Sequence, residues 1–126
     1  MSQVKVLLID DEVEFAAALS ERLRLRNYDT KAVHTPEDAL AIIQHYSPDI
    51  VLLDFKMPGM DGIEVLRIIR KMDPTIEVIM LTGQGDPGNL EEAMRIGIFE
   101  YLVKPIDINE LVLKIEKAQK KRNPEQ

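Results

Sequence analysis

Residues 49–62 read DIVLLDFKMPGMDG, and this stretch decides the fold. Residues 50–53 are four apolar residues in a row, and the run is short and half β-branched, which predicts a strand buried on both faces. The strand ends at Asp54, because the proline of Pro58-Gly59 lacks an N–H and the glycine favours a turn. Asp61 then predicts the N-cap of a helix. The stretch therefore places a carboxylate where a buried strand becomes a loop.

The pattern of a strand followed by a helix repeats along the whole chain. The predicted strands cover residues 4–9, 28–33, 50–53, 76–81 and 99–103, and apolar residues at helical spacing follow each of them. This alternation with short connections predicts a parallel sheet, because right-handed crossovers place the helices on both of its faces. The second strand mixes polar and apolar residues, which predicts that it lies at an edge of the sheet.

Capping signals and helical spacing predict where several helices start and which faces they bury. Thr35 followed by Pro36 predicts the start of the second helix, and Asp107 with Glu110 three residues later predicts the start of the last. Helical spacing predicts the inward faces of two helices: Ile63, Leu66 and Ile69 on the third, and Leu111, Ile115 and Ala118 on the last.

The composition fits one soluble globular domain. Of the 126 residues, 45% are apolar and 30% are charged, and we expect the domain to cover residues 1–121, followed by a tail or the start of a linker at 122–126. A chain of this length buries roughly two-thirds of the surface that its unfolded form exposes, which is enough for one core. The sequence contains no Cys, which excludes disulfides, catalytic thiolates and Cys-bound zinc.

Charge and hydropathy narrow the classes of partner. The net charge of −6 argues against a general nucleic-acid-binding surface. The apolar runs are far shorter than the ~18 residues that a membrane-spanning helix needs. Acidic residues also follow the first apolar run before a signal peptide could form. We therefore expect a cytoplasmic chain that binds neither membrane nor nucleic acid.

Polar residues end four of the predicted strands. Asp10 and Asp11 follow the first strand, Asp54 ends the third, Thr82 ends the fourth and Lys104 ends the fifth. Because all strands of a parallel sheet point the same way, these residues converge at its carboxyl edge, where open α/β sheets bind ligands. Each residue alone could instead cap a helix, complete a turn or lie in solvent.

The carboxylates of this group predict a bound cation. Two carboxylates about 5 Å apart repel each other by roughly 3 kcal/mol at an effective dielectric of about 20. A cation would offset this cost, and oxygen ligands favour Mg²⁺ or Mn²⁺ over zinc. Asp10, Asp11 and Asp54 are therefore candidate metal ligands.

Two other functions are compatible with this architecture. A domain that binds FMN or a nucleotide would need backbone donors around a phosphate after the first strand, and residues 10–12, all acidic, would repel that phosphate. A phosphohydrolase with an aspartyl nucleophile would normally carry a second carboxylate two residues after it, where this chain has Lys56. His34 and His45 are predicted to be surface residues, because neither lies next to a carboxylate or at a predicted strand end.

Over residues 4–121 the chain resembles the receiver domain of two-component response regulators. The resemblance rests on Asp10-Asp11, on Asp54 with the segment that runs from Lys56 to Gly62, on Thr82-Gly83, and on Tyr101 three residues before Lys104-Pro105. It implies a flavodoxin-like fold whose parallel strands have the order 2-1-3-4-5.

The resemblance also implies a chemical role for the strand ends. Asp54 would accept a phosphoryl group from a sensor histidine kinase or a histidine phosphotransfer protein. Asp11, Asp54 and the main-chain carbonyl of Lys56 would bind Mg²⁺ or Mn²⁺, with Asp10 acting through water. Lys104 and the hydroxyl of Thr82 would contact the phosphoryl oxygens.

The chain would then be a signalling switch rather than an enzyme, although it would catalyse its own phosphorylation and dephosphorylation. Thr82 and Tyr101 are the switch residues that the resemblance implies, and the surface of the fourth helix, fifth strand and fifth helix would change on phosphorylation. That surface would bind an unidentified downstream protein or output domain, or form a phosphorylation-dependent dimer. Gly83 stands where many relatives carry Ala, and the segment with Gly85, Pro87 and Gly88 is atypical.

Overall fold

The computed structural model describes residues 3–56, 61–83 and 90–122. Its strands are β1 (Lys5–Ile9), β2 (Asp29–Val33), β3 (Ile50–Asp54), β4 (Glu77–Thr82) and β5 (Glu100–Val103). Its helices are α1 (Val13–Arg24), α2 (Pro36–Tyr46), α3 (Gly62–Met72), α4 (Leu90–Ile96) and α5 (Ile108–Arg122). The turn predicted over residues 57–60 and the glycine-rich segment over 84–89 lie outside the described residues.

The strands form a parallel sheet in the order β2-β1-β3-β4-β5, which confirms the predicted flavodoxin-like topology. Every residue of the inner strands β3 and β4 is buried, and so is every residue of β1 except Lys5. β2 is an edge strand, as its mixed polarity predicts, and Thr30 is its one buried residue. The uninterrupted apolar run of β3 therefore belongs to a strand that helices cover on both sides.

Alternate residues of the inner strands face two separate cores, because successive side chains of a strand point to opposite faces. Leu7 of β1 and Val51 of β3 pack against α2, α3 and α4 on one face. Leu8 and Leu52, the next residues along, pack against α1 and α5 on the other. The residues predicted to face inward are all buried: Ile63, Leu66, Ile69, Leu111, Ile115 and Ala118.

Side-chain caps start three of the helices where the sequence predicts them. The Asp107 carboxylate accepts the N–H of Asn109 at 2.8 Å, directly before α5. The Thr35 hydroxyl accepts the N–H of Asp38 at 3.1 Å, directly before α2. The Asp61 carboxylate accepts the N–H of Ile63 at 2.9 Å, directly before α3. Each cap satisfies an N–H that has no partner inside its helix, so these residues fix where α2, α3 and α5 begin.

The last turn of α5 is tied to the amino edge of the sheet. Arg122, which the sequence prediction assigned to the tail, is the last residue of the helix. Its guanidinium donates to the carbonyl oxygen of Thr75 at 3.0 Å and pairs with the carboxylate of Asp49. Asp49 also accepts the N–H of Lys5 at 2.8 Å. These contacts join the end of α5 to the starts of β1 and β3.

Gly62 lets the start of α3 approach the end of β3. A Cβ atom at Gly62 would lie 2.8 Å from Cγ and 2.9 Å from Cα of Phe55. Phe55 follows Asp54 directly and is buried. The missing side chain at Gly62 therefore permits a close contact beside the carboxylate that ends β3.

We expect Gly62→Ala to lower the free energy of unfolding by about 1–3 kcal/mol, because the added Cβ would displace buried atoms. Urea denaturation followed by circular dichroism would measure the change. Gly83→Ala is the matched control, since the nearest atom to its Cβ would be Nζ of Lys56 at 4.0 Å. The control should change the free energy by less than about 1 kcal/mol. Equal effects of the two substitutions would contradict the close approach at Gly62.

Candidate functional site

The register of β1 with β3 places Asp10 beside Asp54 at the carboxyl edge of the sheet. Both side chains are almost completely buried, with exposed fractions of 0% for Asp10 and 4% for Asp54. Each carboxylate accepts the N–H two residues further along the chain, that of Glu12 at 2.9 Å and that of Lys56 at 3.0 Å. These local hydrogen bonds hold both carboxylates at the points where their strands become loops.

Lys104 reaches the same place from β5. Thr82 of β4 pairs with Val103 of β5, and the Lys104 N–H donates to the carbonyl oxygen of Thr82 at 2.8 Å. β4 separates β5 from β3, and adjacent strands lie about 4.8 Å apart, so the long lysine side chain is needed to cross the end of β4. Its Nζ atom lies 3.0 Å from the carboxylate of Asp10 and 3.6 Å from that of Asp54.

Glu12 completes the group of charges around Lys104. Its carboxylate is the closest partner of the ammonium, at 2.8 Å from Nζ. The ring of Phe15 lies beneath the ammonium, with 4.5 Å from Nζ to the ring centroid. The cluster therefore contains three carboxylates, from Asp10, Glu12 and Asp54, around one ammonium.

Burial and charge shift the pKa values of two groups in the cluster. Burial raises the pKa of the Asp54 carboxyl and the charge of Asp10 raises it further, although the Lys56 N–H and the ammonium of Lys104 oppose them. Burial by itself would lower the pKa of Lys104, but the hydrogen bonds to Glu12 and Asp10 outweigh it and raise this pKa to about 12. Lys104 is therefore a cation at neutral pH, and the Asp54 carboxylate is more basic than that of an exposed aspartate.

Thr82 and Tyr101 lie close to the cluster in the sheet but have other contacts. The Thr82 side chain is buried at the end of β4, and its hydroxyl donates to the carbonyl oxygen of Gly83 at 2.8 Å. Tyr101 is in β5, next to β4, and 38% of its surface is exposed. The Thr82 hydroxyl must leave the Gly83 carbonyl before it can bind a group on Asp54.

The carboxylates fit a hard divalent cation. In the described part of the chain, oxygens of Asp10, Glu12 and Asp54 all lie within 4.8 Å of one another. Oxygen donors alone favour Mg²⁺ or Mn²⁺ over zinc. Asp11, a predicted ligand, is partly buried and is not a member of this group. Glu12 takes its place in the cluster that the structure brings together.

The sequence does not predict the contact of Glu12 with Lys104 or the contact of His34 with Asp10. Glu12 was considered only as a charge that repels phosphate, because nothing in the sequence shows that its side chain turns toward Lys104. The prediction that His34 lies away from any strand end is wrong: it directly follows β2, and its Nδ1 lies 3.0 Å from the carbonyl oxygen of Asp10, although the residue is only partly buried. The position of His34 directly after a predicted strand was the signal that could have identified it. His45 is exposed, as predicted.

Comparison with known proteins shows which family and which folds this chain is similar to. The family model described as the response regulator receiver domain matches residues 6–116. The sporulation initiation phosphotransferase F of Bacillus subtilis is 36% identical over 111 residues, which cover 88% of this chain and 90% of that protein. A CheY-like response regulator receiver domain protein from Methanospirillum hungatei has a similar crystal structure, with a TM-score of 0.93, 26% identity, and coverage of 99% of this chain and 100% of that one.

Longer proteins also contain a region similar to this chain. The regulatory protein AtoC of Escherichia coli is 34% identical over 114 residues, which cover 90% of this chain. The same match covers 25% of AtoC, so the chain spans about a quarter of that relative's length. The similarity to AtoC therefore concerns this one region.

Proposed function

This chain belongs to the response regulator receiver domain family, and we propose that it is phosphorylated on Asp54. A receiver domain is a signalling switch and not a classical enzyme. The observation that carries the proposal is the position of Asp54, whose buried carboxylate ends an inner strand and lies 3.6 Å from the Lys104 ammonium. A basic carboxylate beside a fixed cation can attack phosphorus and have the resulting charge stabilised.

Asp54 acts as the nucleophile in this proposal. One of its carboxylate oxygens attacks the phosphorus of a phosphohistidine, and an O–P bond forms as the P–N bond breaks and the electron pair leaves with the imidazole. Lys104 and the Thr82 hydroxyl donate to phosphoryl oxygens as their charge redistributes. The product is an acyl phosphate on Asp54; attack by water on the same phosphorus breaks the new O–P bond, restores the carboxylate and releases inorganic phosphate.

Asp10, Asp11 and Asp54, with the main-chain carbonyl of Lys56, are the residues that would hold Mg²⁺ or Mn²⁺. A bound divalent cation supplies positive charge to both the attacking carboxylate and the phosphoryl oxygens. The clustered carboxylates of Asp10, Glu12 and Asp54 support a divalent cation at this edge, because they carry more negative charge than the single ammonium of Lys104 neutralises. Asp11 and the Lys56 carbonyl are included because the family pattern places ligands there.

The phosphoryl donor is a sensor histidine kinase or a histidine phosphotransfer protein. Receiver domains of response regulators exchange phosphoryl groups with proteins of these classes. Among the described residues no helix combines the length and apolarity that a bilayer span requires. We place the reaction in the cytoplasm, where kinase and receiver meet.

Incubation with acetyl phosphate and Mg²⁺ should add one phosphoryl group to the chain, and Asp54→Asn should abolish this addition because the amide is not a nucleophile. Intact-mass spectrometry would measure the addition, and borohydride trapping of the acyl phosphate would map it. Asp38→Asn is the matched control, since Asp38 is exposed in the first turn of α2 and should leave phosphorylation unchanged.

A phosphoryl group on any residue other than Asp54 would refute the assignment. A domain that binds FMN would instead take up flavin and turn yellow, which distinguishes the alternative function in the same preparation.

Phosphorylation of Asp54 also changes the surface formed by α4, β5 and α5. A phosphoryl oxygen offers the Thr82 hydroxyl a charge-assisted hydrogen bond, which is stronger than its present bond to the Gly83 carbonyl. Movement of Thr82 vacates space that the half-exposed ring of Tyr101 can fill. A bias of a few kcal/mol is enough to shift such a two-state equilibrium. The changed surface binds a downstream partner or a second copy of the chain.

Phosphorylation of the wild-type chain should alter amide hydrogen exchange over residues 90–113, and Tyr101→Ala should lose this response while Asp54 is still phosphorylated. Tyr101→Phe should retain the response, because its ring fills the same space. Leu25→Ala removes an apolar side chain that is 77% exposed at the end of α1 and serves as the control. The proposed switch would be contradicted if amide hydrogen exchange over residues 90–113 were the same in phosphorylated Tyr101→Ala as in the phosphorylated wild type.

A further inference from the structure

We infer that Glu12 is a positioning residue for Lys104: it anchors the ammonium on the solvent side of the site and so keeps the Asp54 carboxylate and the space beside it open for a cation and a phosphoryl group. The inference rests on the proposed function for its biological meaning. The positioning itself depends on one interaction, the 2.8 Å contact between the Glu12 carboxylate and Nζ of Lys104. None of the roles proposed above for the strand-end residues includes Glu12.

The hydrogen bonds of Lys104 support this role. An ammonium has three N–H donors. Two of them are used, one by Glu12 at 2.8 Å and one by Asp10 at 3.0 Å. Asp54, at 3.6 Å, is attracted by charge but is beyond hydrogen-bond distance. Lys104 is therefore held close to Asp54 without occupying its oxygens.

The surroundings of Lys104 explain where the ammonium is held. Asp10 contacts it from inside the protein, with 0% of its side chain exposed, and Glu12 contacts it from solvent, with 61% exposed. The ring of Phe15 supports the ammonium from a third side, at 4.5 Å. The contacts with Asp10 and Glu12 are both shorter than the 3.6 Å contact with Asp54. They draw the ammonium away from the carboxylate that has to react.

Loss of the Glu12 charge would remove the shortest contact that holds the ammonium on the solvent side. The ammonium would then be free to approach the Asp54 carboxylate, which lies 0.6 Å further away than the hydrogen-bonded Asp10 oxygen. The ammonium would then move inward and form a hydrogen bond with Asp54. In that position it would compete with a divalent cation for the same oxygens. Glu12 thus allows a lysine and a metal ion to share one group of carboxylates.

A double-mutant cycle separates this positioning from a direct effect of the Glu12 charge. Mg²⁺ affinity would be measured by titration of amide resonances in wild type, Glu12→Gln, Lys104→Met and the double variant, with no phosphoryl donor present. If the charges stay in place, the effect of Glu12→Gln on the free energy of Mg²⁺ binding is the same with and without Lys104. A difference between the two effects therefore shows that the ammonium moves. Glu14→Gln removes a charge two residues away, in the first turn of α1, and is the matched control.

Glu12→Gln should weaken Mg²⁺ binding about fivefold when Lys104 is present, and by no more than about twofold in Lys104→Met, because solvent and salt screen the direct effect of an exposed charge. Glu14→Gln should change the affinity by less than about twofold. Equal weakening in both Lys104 backgrounds would overturn the inference, since Glu12 would then act as a ligand or as a charge in its own right. Unchanged or tighter binding in Glu12→Gln would overturn it as well.

A second measurement needs no substitution at Lys104 and applies even if Lys104→Met is too unstable to titrate. Nζ of Lys104 lies over the Phe15 ring, so the protons on the adjacent carbon should show an upfield ring-current shift in lysine-labelled wild type. Glu12→Gln should move these resonances toward the values of a free lysine, and Glu14→Gln should not. Resonances that stay in place in Glu12→Gln would show that Glu12 does not hold the ammonium.

Failure of this inference and failure of the proposed function give different results. The Mg²⁺ cycle and the lysine resonances contain no phosphoryl donor, so they report on Glu12 even if Asp54 is never phosphorylated. Phosphorylation of the wild type by acetyl phosphate tests Asp54 alone.

Discussion

The ammonium of Lys104 among the carboxylates of Asp10, Glu12 and Asp54 is the interaction on which the site depends. Lys104 lies 94 residues after Asp10 and 92 residues after Glu12 in the chain. These groups meet because the strands of a parallel sheet all end at the same edge. Carboxylates this close repel one another strongly when they are shielded from water. Lys104 offsets part of that repulsion, and the remaining negative charge at this edge suits a hard divalent cation.

Much of this arrangement could be predicted from the sequence because it follows from backbone properties. An apolar run that ends at Asp54 specifies an inner strand, and strands that alternate with helices specify a parallel sheet. Side-chain alternation then assigns Leu7 and Leu8 to opposite cores, as the structure has them. Once the strands are parallel, Asp10, Asp54, Thr82 and Lys104 must meet at one edge, and the structure brings them together there. Their chemical roles remain proposals.

The remaining features depend on side-chain conformations, which a sequence pattern does not encode. Asp11 and Glu12 are adjacent acids of similar chemistry, yet Glu12 joins the cluster and Asp11 does not. The difference comes from the turn after β1, where the Asp10 carboxylate accepts the Glu12 N–H. His34 is a different case, because its place directly after the second predicted strand was a usable signal, and the β1–β2 register then brings it to the Asp10 carbonyl.

The most direct test of this account is the free energy of unfolding of Lys104→Met in solution without divalent cations. Removal of the ammonium leaves the buried Asp10 and Asp54 carboxylates without a cation. We therefore expect the free energy of unfolding to fall by about 2 kcal/mol or more, and Mg²⁺ should restore part of this loss. Lys114→Met, which removes a surface partner of Glu100, should cost less than about 1 kcal/mol. If Lys104→Met is no less stable than Lys114→Met, or if Mg²⁺ restores nothing, the central claim that a cation holds this edge together is wrong.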